Sequence, residues 1–216
     1  MTDPVRLMVT GDLHLGRHPT KIPADRDGKR FSPGTIWGSI VDRSITTGVD
    51  AVVVTGDVLD RENSFYEAWG PFEAGLSRLE ADDIPLFAVA GNHDYGVLES
   101  FFQSMSPSNG HLLGEGGRWQ REALSRAGEP VLYFDGWSYP RRHPQLNPLD
   151  SFDLEHPDRP ALGILHTDLN RSKSKYAPVM DRDLRQTFHE GWLLGHIHSP
   201  GRRSDSPLIL YPGSPQ

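Results

Sequence analysis

Val5-Arg6-Leu7-Met8-Val9-Thr10-Gly11-Asp12-Leu13-His14 decides how the rest of the chain is read: an apolar run of strand length breaks at a glycine into an aspartate and a histidine. Variants of that pattern follow. Ala51–Thr55 leads into Gly56-Asp57-Val58-Leu59-Asp60-Arg61, and Pro85–Ala90 into Gly91-Asn92-His93-Asp94. Ala161–His166 ends on its own histidine before Thr167, and Trp192–Gly195 opens Gly195-His196-Ile197-His198. With Val131–Phe134, these are short runs, mostly apolar on both faces, as strands buried inside an α/β sheet tend to be.

Between the first runs, Trp37, Ile40, Val41 and Ile45 recur at helical spacing. So do Phe65, Trp69, Phe72, Leu76 and Leu79, and then Val97, Leu98, Phe101, Phe102 and Met105. These stripes are core-facing helix faces and carry no further assignment. Strands alternating with helices imply parallel pairing and right-handed crossovers in the first half. The second half has several strands and little helix, which predicts a second, mixed sheet. The polar, proline-rich stretch 141–160 is expected to loop over one rim.

A chain of 216 residues suits one domain, residues 1–216. Its 22 Gly and 18 Pro stay below the roughly 25–30% that marks low-complexity chains. The absence of cysteine excludes a disulfide scaffold, a thiolate zinc site, an iron–sulfur cluster and a cysteine nucleophile. A formal charge of −7 argues against holding nucleic acid by a broad basic face alone. It leaves a phosphate substrate open, because bound cations reverse local charge. No basic segment and long apolar stretch precede Val5, and no run of about 18 apolar residues occurs, so a cytoplasmic protein without a membrane span is expected. The chain stops just after the strand-like run Leu208–Tyr211, and a further C-terminal module, a cap region, is expected beyond it.

Ligands of open α/β sheets bind outside the carboxyl ends of the strands. Five strand ends here deliver Asp, Asn and His to one edge. Asp12 and His14, like His196 and His198, are one residue apart and would point the same way in extended chain. Carboxylate, carboxamide and imidazole without sulfur suit Mn, Fe, Zn or Co, and the donors are too many for one ion. Two ions sharing a carboxylate account for the number. Of the ten histidines, His18, His111, His143, His156 and His189 fall outside this set and read as surface or structural.

Gly-Asp-Leu-His, Gly-Asp-Val-Leu-Asp, Gly-Asn-His-Asp, the isolated His166 and Gly-His-Ile-His resemble, in order, the motifs of the calcineurin-like metallophosphoesterases. The closing Tyr-Pro-Gly-Ser-Pro-Gln, with Ser138-Tyr139-Pro140-Arg141 and the segment 166–184, is similar to the DNA-repair exonuclease branch, the bacterial SbcD-like nucleases. The resemblance implies a two-sheet αββα sandwich with its metal site at the C-terminal ends of the strands. It implies that Asp12, His14 and His198 hold one ion, that Asn92, His166 and His196 hold the other, and that Asp57 bridges them. His93 then faces the substrate, with Asp94 orienting its ring. Asp60 stands where archaeal and eukaryotic relatives place a substrate-facing histidine.

On this reading the protein is a two-metal phosphodiesterase, a DNA exonuclease with manganese as the expected ion and Fe, Zn, Co or Mg as alternatives. Two cations activate a shared water for attack on phosphorus, and His93 assists the leaving oxygen. Arg17, Arg26, Lys29, Arg30, Arg141, Arg142, Arg171, Lys173 and Lys175 form local basic clusters able to touch a phosphate backbone. Tyr139 and Tyr176 are candidates for stacking on a base. DNA, a coiled-coil ATPase and a second copy of the chain are the partners the resemblance implies. A small-molecule phosphodiesterase or phosphatase is the alternative enzyme. A non-catalytic binding scaffold is disfavoured by the intact Asn92-His93-Asp94.

Overall fold

The computed structural model describes residues 3–17, 32–60 and 65–216. In chain order the elements are β1 (Leu7–Thr10), α1 (Pro33–Thr47), β2 (Ala51–Val54), α2 (Phe65–Ala81), β3 (Leu86–Ala88), α3 (Val97–Met105), β4 (Gly110–Leu112), β5 (Gln120–Arg126), β6 (Glu129–Trp137), β7 (Ala161–His166), α4 (Asp181–Leu184), β8 (Gly191–Gly195), β9 (Gly201–Asp205) and β10 (Leu208–Tyr211). The first sheet has the order β1-β2-β3-β4 and is parallel throughout. The second, β5-β6-β7-β8-β10-β9, is mixed: β6, β7, β8 and β10 run parallel, and antiparallel edge strands close it on both sides.

Side-chain alternation sorts the core into layers. Val52, Val54, Leu86 and Ala88 face the helices and meet Trp37, Phe72, Phe101 and Leu98. Their neighbours Ala51, Val53, Phe87 and Val89 face the second sheet, meeting Phe134, Ile164 and Leu193. That apolar interleaf fixes the two sheets face to face. On the outer face of the second sheet Trp119, Trp192, Leu194, Ile209 and Tyr211 form a third cluster. Loops, the four-residue α4 and a 3-10 turn at Pro148–Ser151 cover it.

Local chemistry sets the helix ends. The Ser32 side chain accepts from the Thr35 N–H at the start of α1, Pro33 occupies its first turn, and Gly48, at φ +59°, ends it. The three apolar stripes fall on α1, α2 and α3 as expected. The stretch 141–160 extends further than a rim. Leu149, Phe152 and Leu154 pack on the outer cluster of the second sheet, and the Glu155 carbonyl accepts from Arg121 at 2.8 Å.

Candidate metal centre

The loops after β1, β2, β3, β7 and β8 converge where the two sheets meet. A clasp at the end of β3 sets the junction. Ser138 Oγ donates to the Leu113 carbonyl and accepts from the Ala90 N–H at 2.8 Å, while the Tyr139 N–H donates to the Ala90 carbonyl at 3.1 Å. Gly91-Asn92-His93-Asp94 therefore leaves the first sheet already tied to the second.

Backbone conformation aims the side chains. Asp12, His14, Asp57 and His196 all have positive φ (51°, 47°, 52° and 92°), a region that costs a non-glycine residue of order 1–3 kcal/mol. The convergence of Asp12 with His14 thus comes from left-handed turns, not from the alternation of an extended strand, which corrects the expectation. Gly56 has φ +99°, and a Cβ there would strike the His166 ring.

Three groups of donor atoms result, each within 4.8 Å: Asp12, His14 and His198; Asp12, Asp57 and His166; and His14, Asp60 and His93. His14 Nε2 faces His198 Nε2 at 3.4 Å, and His198 Nε2 lies 3.6 Å from Asp12 Oδ1. That Oδ1 is buried without a hydrogen bond. His166 Nδ1–H donates to the Thr55 carbonyl at 3.0 Å, so Nε2 is left facing Asp57 Oδ2 and Asn92 Oδ1, each at 3.2 Å. Two acceptor oxygens aimed at one ring nitrogen need a proton or a cation between them. Burial works against a charged His166, but Asp57 and Asp12 outweigh it and lift its pKa to about 9. Burial would raise Asp57, yet His166 and His14 hold it well below the usual carboxylate range. Burial lowers His14 to about 4 and His196 to about 3, leaving neutral imidazoles with a lone pair to give. The His196 backbone N–H donates to Asp12 Oδ2 at 3.2 Å. An unpaired buried carboxylate oxygen and neutral imidazoles fit divalent cations.

Sequence reasoning misassigned two residues. Asp94 does not reach the His93 ring. Its oxygens accept from the N–H groups of Gly91 and Val58 at 2.7 Å each and of Leu59 at 3.4 Å, which ties the loop after β2 to the loop after β3. Burial and the charge of Asp57 raise its pKa to about 7. The carboxylate beside His93 is instead buried Asp60, with Oδ1 3.8 Å from Nδ1. A hydrophobic stretch, Val58-Leu59, carries Asp60 round to face His93; the Asp at that motif position was the available signal. Tyr139, expected to stack on a base, is fully buried with its ring edge on His166 at 5.5 Å and cannot meet one.

His93 and His198 open the site to solvent, with side chains 29% and 53% exposed. His93 sits with its ring edge-on to His14 at 4.8 Å, and its backbone N–H donates to Asp57 Oδ1 at 2.8 Å. Among the remaining predicted contacts, half-buried Tyr176 lies on His196 at 4.6 Å, with Lys175 Nζ 5.4 Å from its ring. His143, left out of the sequence set, packs on Tyr176 at 5.3 Å. Arg17 is exposed one turn after His14, bonded by its N–H to the His14 carbonyl. Arg142 and Lys173 are exposed, and Arg141 folds back onto the Pro144 carbonyl. Arg171 pairs with Asp168 at 3.4 Å. His18, Arg26, Lys29 and Arg30 lie outside the described residues. Among the described residues, no helix is long and apolar enough to cross a membrane.

Comparison with known proteins agrees with this geometry. The family described as calcineurin-like phosphoesterase matches residues 5–206. The uncharacterized metallophosphoesterase YhaO of Bacillus subtilis is 25% identical over 180 residues, 82% of this chain and 44% of that protein. The DNA double-strand break repair protein Mre11 of Methanosarcina acetivorans is 33% identical over 92 residues, 42% of this chain and 14% of that protein. The chain thus spans less than half the length of these curated relatives. In fold it is similar to a dimetal phosphatase from Danio rerio, with a TM-score of 0.57 at 14% identity over 99% of this chain and 88% of the other. It is similar also to TT1561 of Thermus thermophilus, with a TM-score of 0.58 at 12% identity over 98% of this chain and 91% of the other. Five strand ends, three overlapping groups of nitrogen and oxygen donors and a match across nearly the whole sequence leave one conclusion: the chain belongs to the calcineurin-like phosphoesterases and is a metal-dependent hydrolase of the two-metal kind.

Proposed function

We propose that this chain hydrolyses DNA phosphodiesters from an end, as the nuclease of a DNA-repair branch of the family, with manganese as its working ion. The observation that carries the proposal is the convergence of three overlapping donor groups, built from Asp12, His14, Asp57, Asp60, His93, His166 and His198, on a rim that His93 and His198 open to solvent. The 92-residue similarity to a double-strand break repair protein supports DNA as the substrate. So does the Lys175–Tyr176–His143 wall beside His196. The coiled-coil ATPase and the second copy of the chain belong to the same proposal.

In the proposed site Asp12, His14 and His198 would hold one cation and Asn92, His166 and His196 the other, with Asp57 able to serve both. When bound, the two ions supply Lewis acidity and charge neutralisation at the phosphate. The chain's own residues do the rest. His93 meets the leaving sugar oxygen and delivers a proton to it, a contribution worth about 10²–10⁴-fold. Asp60, on the Nδ1 side of the ring, orients His93 so that Nε2 faces the substrate. Asp94 holds the two loops that carry Asp57 and Asn92 at fixed separation.

End-labelled DNA, bis-p-nitrophenyl phosphate and p-nitrophenyl phosphate, each with Mn²⁺, test the proposal together. Shortening of the labelled DNA and diester hydrolysis are expected. Robust monoester hydrolysis without DNA cleavage overturns the nuclease reading in favour of a small-molecule phosphatase.

A further inference from the structure

The stretch from the last residue of β10, Tyr211-Pro212-Gly213-Ser214-Pro215-Gln216, is bonded into the rim. The Tyr211 hydroxyl donates to the Thr167 carbonyl at 2.9 Å, in the loop after β7. Ser214 then makes two bonds at once. Its N–H donates to the His198 carbonyl at 2.9 Å and its hydroxyl to the Asp12 carbonyl at 3.0 Å. The Gln216 side-chain amide donates to the Leu13 carbonyl. The fit is close: a Cβ on Gly213, which has φ +77°, would come within 2.7 Å of the His198 carbonyl oxygen and the Pro200 nitrogen.

These contacts fall on particular residues. Asp12 follows β1 of the first sheet and His198 follows β8 of the second, yet both belong to one donor group with His14. The turn at Asp12 is left-handed, so its carbonyls leave the strand ladder, and Ser214 and Gln216 supply donors for those of Asp12 and Leu13. His198 is the more telling case. Its side chain is 53% exposed, so packing does not hold it, and its backbone is pinned by Ser214. None of the contacts named here reaches Asn92 or His166.

We infer that Gly213–Gln216 is a positioning element for one of the two metal centres, with Ser214 setting the separation of Asp12 and His198 across the seam between the sheets. The inference rests on the reading that Asp12, His14 and His198 hold a cation. Groups that orient metal ligands typically change metal affinity by about 10–100-fold when removed. Loss of Ser214 should therefore weaken one ion and spare the other.

The test titrates Mn²⁺ into the metal-free full chain, followed by calorimetry and by the electron paramagnetic resonance of the ion. Wild type, Ser214→Ala, Ser214→Thr and Gln216→Ala are compared, with the melting temperature of each metal-free protein. Wild type should take up two ions in a spin-coupled pair. Ser214→Ala should keep one ion at wild-type affinity, bind the second about 10–100-fold more weakly, and show an uncoupled Mn²⁺ signal until the second site fills. Ser214→Thr, which retains the hydroxyl, should restore the pair. Gln216→Ala, at an exposed position, should weaken the same ion by a smaller factor. The inference is overturned if Ser214→Ala binds both ions as wild type does, or if both weaken together in step with a lower melting temperature. A wild-type chain that takes up fewer than two ions overturns the metal reading itself, and this inference with it.

Discussion

Replacing Gly56 by alanine probes how the fold seats His166, and the expected effect can be built up from the geometry. Gly56 has φ +99°, where an L-residue is strained by about 1–2 kcal/mol. The added Cβ would lie 2.5 Å from His166 Nδ1, inside the collision limit, in a core where overpacking costs about 1–3 kcal/mol. Moving the ring away breaks its bond to the Thr55 carbonyl, worth about 0.5–1.5 kcal/mol. The three together come to roughly 3–6 kcal/mol, and at about 2–4 °C per kcal/mol for a chain of this size the melting temperature falls by roughly 6–24 °C. Gly48→Ala is the control: it also has positive φ, 59°, but its Cβ meets nothing within 4 Å, so it isolates backbone strain at about 1 kcal/mol. Differential scanning fluorimetry of the metal-free proteins reads the stability. Calorimetric Mn²⁺ titration reads whether the ion near Asn92 and Asp57 is lost. The reasoning is refuted if Gly56→Ala melts no lower than Gly48→Ala and still takes up two ions.

Other substitutions separate the two carboxylates near His93. Asp60→Asn and His93→Gln should keep both ions and the melting temperature while turnover falls by about 10²–10⁴-fold for the histidine; metal loss in step with rate would sink the assignment. Asp94→Ala, which strips an acceptor from the N–H groups of Gly91, Val58 and Leu59, should lower metal uptake and stability together. Retained metal with lost rate would return Asp94 to a role on the His93 ring. Away from the site, buried Asp135 receives two 2.7 Å bonds from Arg121 and one of 3.0 Å from His189 Nε2. Burial would raise its pKa, but these bonds bring it below the ordinary value, so its contribution to stability is present above about pH 4 and lost as the pH falls through the folded value. The difference in melting temperature between wild type and Asp135→Asn should therefore shrink below about pH 4, and a constant difference would contradict the linkage. Chelation with EDTA should lower the melting temperature of the metal-loaded protein, because ions that bind only the folded state stabilise it; equal melting with and without Mn²⁺ excludes tight binding.

The interior strands were legible because both of their faces are buried: Ala51–Val54 and Leu86–Ala88 are apolar at every position. What escaped were edges. Gln120-Arg121-Glu122-Ala123-Leu124-Ser125-Arg126 and Gly201-Arg202-Arg203-Ser204-Asp205 border the second sheet, and the three-residue Gly110–Leu112 borders the first. The two in the second sheet carry charge that discourages pairing with other chains, so their composition hides them, and Gly110–Leu112 is hidden by its length. Donor identity was legible for a different reason: glycine, aspartate and histidine recur at strand ends regardless of sheet. Which carboxylate serves which partner was not, because Asp94 and Asp60 differ only in what the turns around Val58 and Gly91 bring near them.

The position of the site at the seam explains why so much strain is tolerated there. Asp12, Asp57 and Asn92 leave the first sheet; His166, His196 and His198 leave the second; neither sheet alone assembles a set of donors for two ions. Four left-handed non-glycine residues at about 1–3 kcal/mol each amount to a cost comparable with the whole stability of a domain. Bonds across the seam offset part of it, among them His166 to Thr55, Tyr139 to Ala90 and Ser214 to Asp12. The apolar interleaf of Val53, Phe87, Phe134 and Leu193 holds the sheets close enough for those bonds to form. Burying Asp12 and Asp57 together leaves carboxylates repelling each other, relieved within the chain chiefly by His166, with His198 beside Asp12 and His14 beside Asp57. Cations would relieve that repulsion directly, so metal binding and closure of the seam should be one cooperative event rather than two.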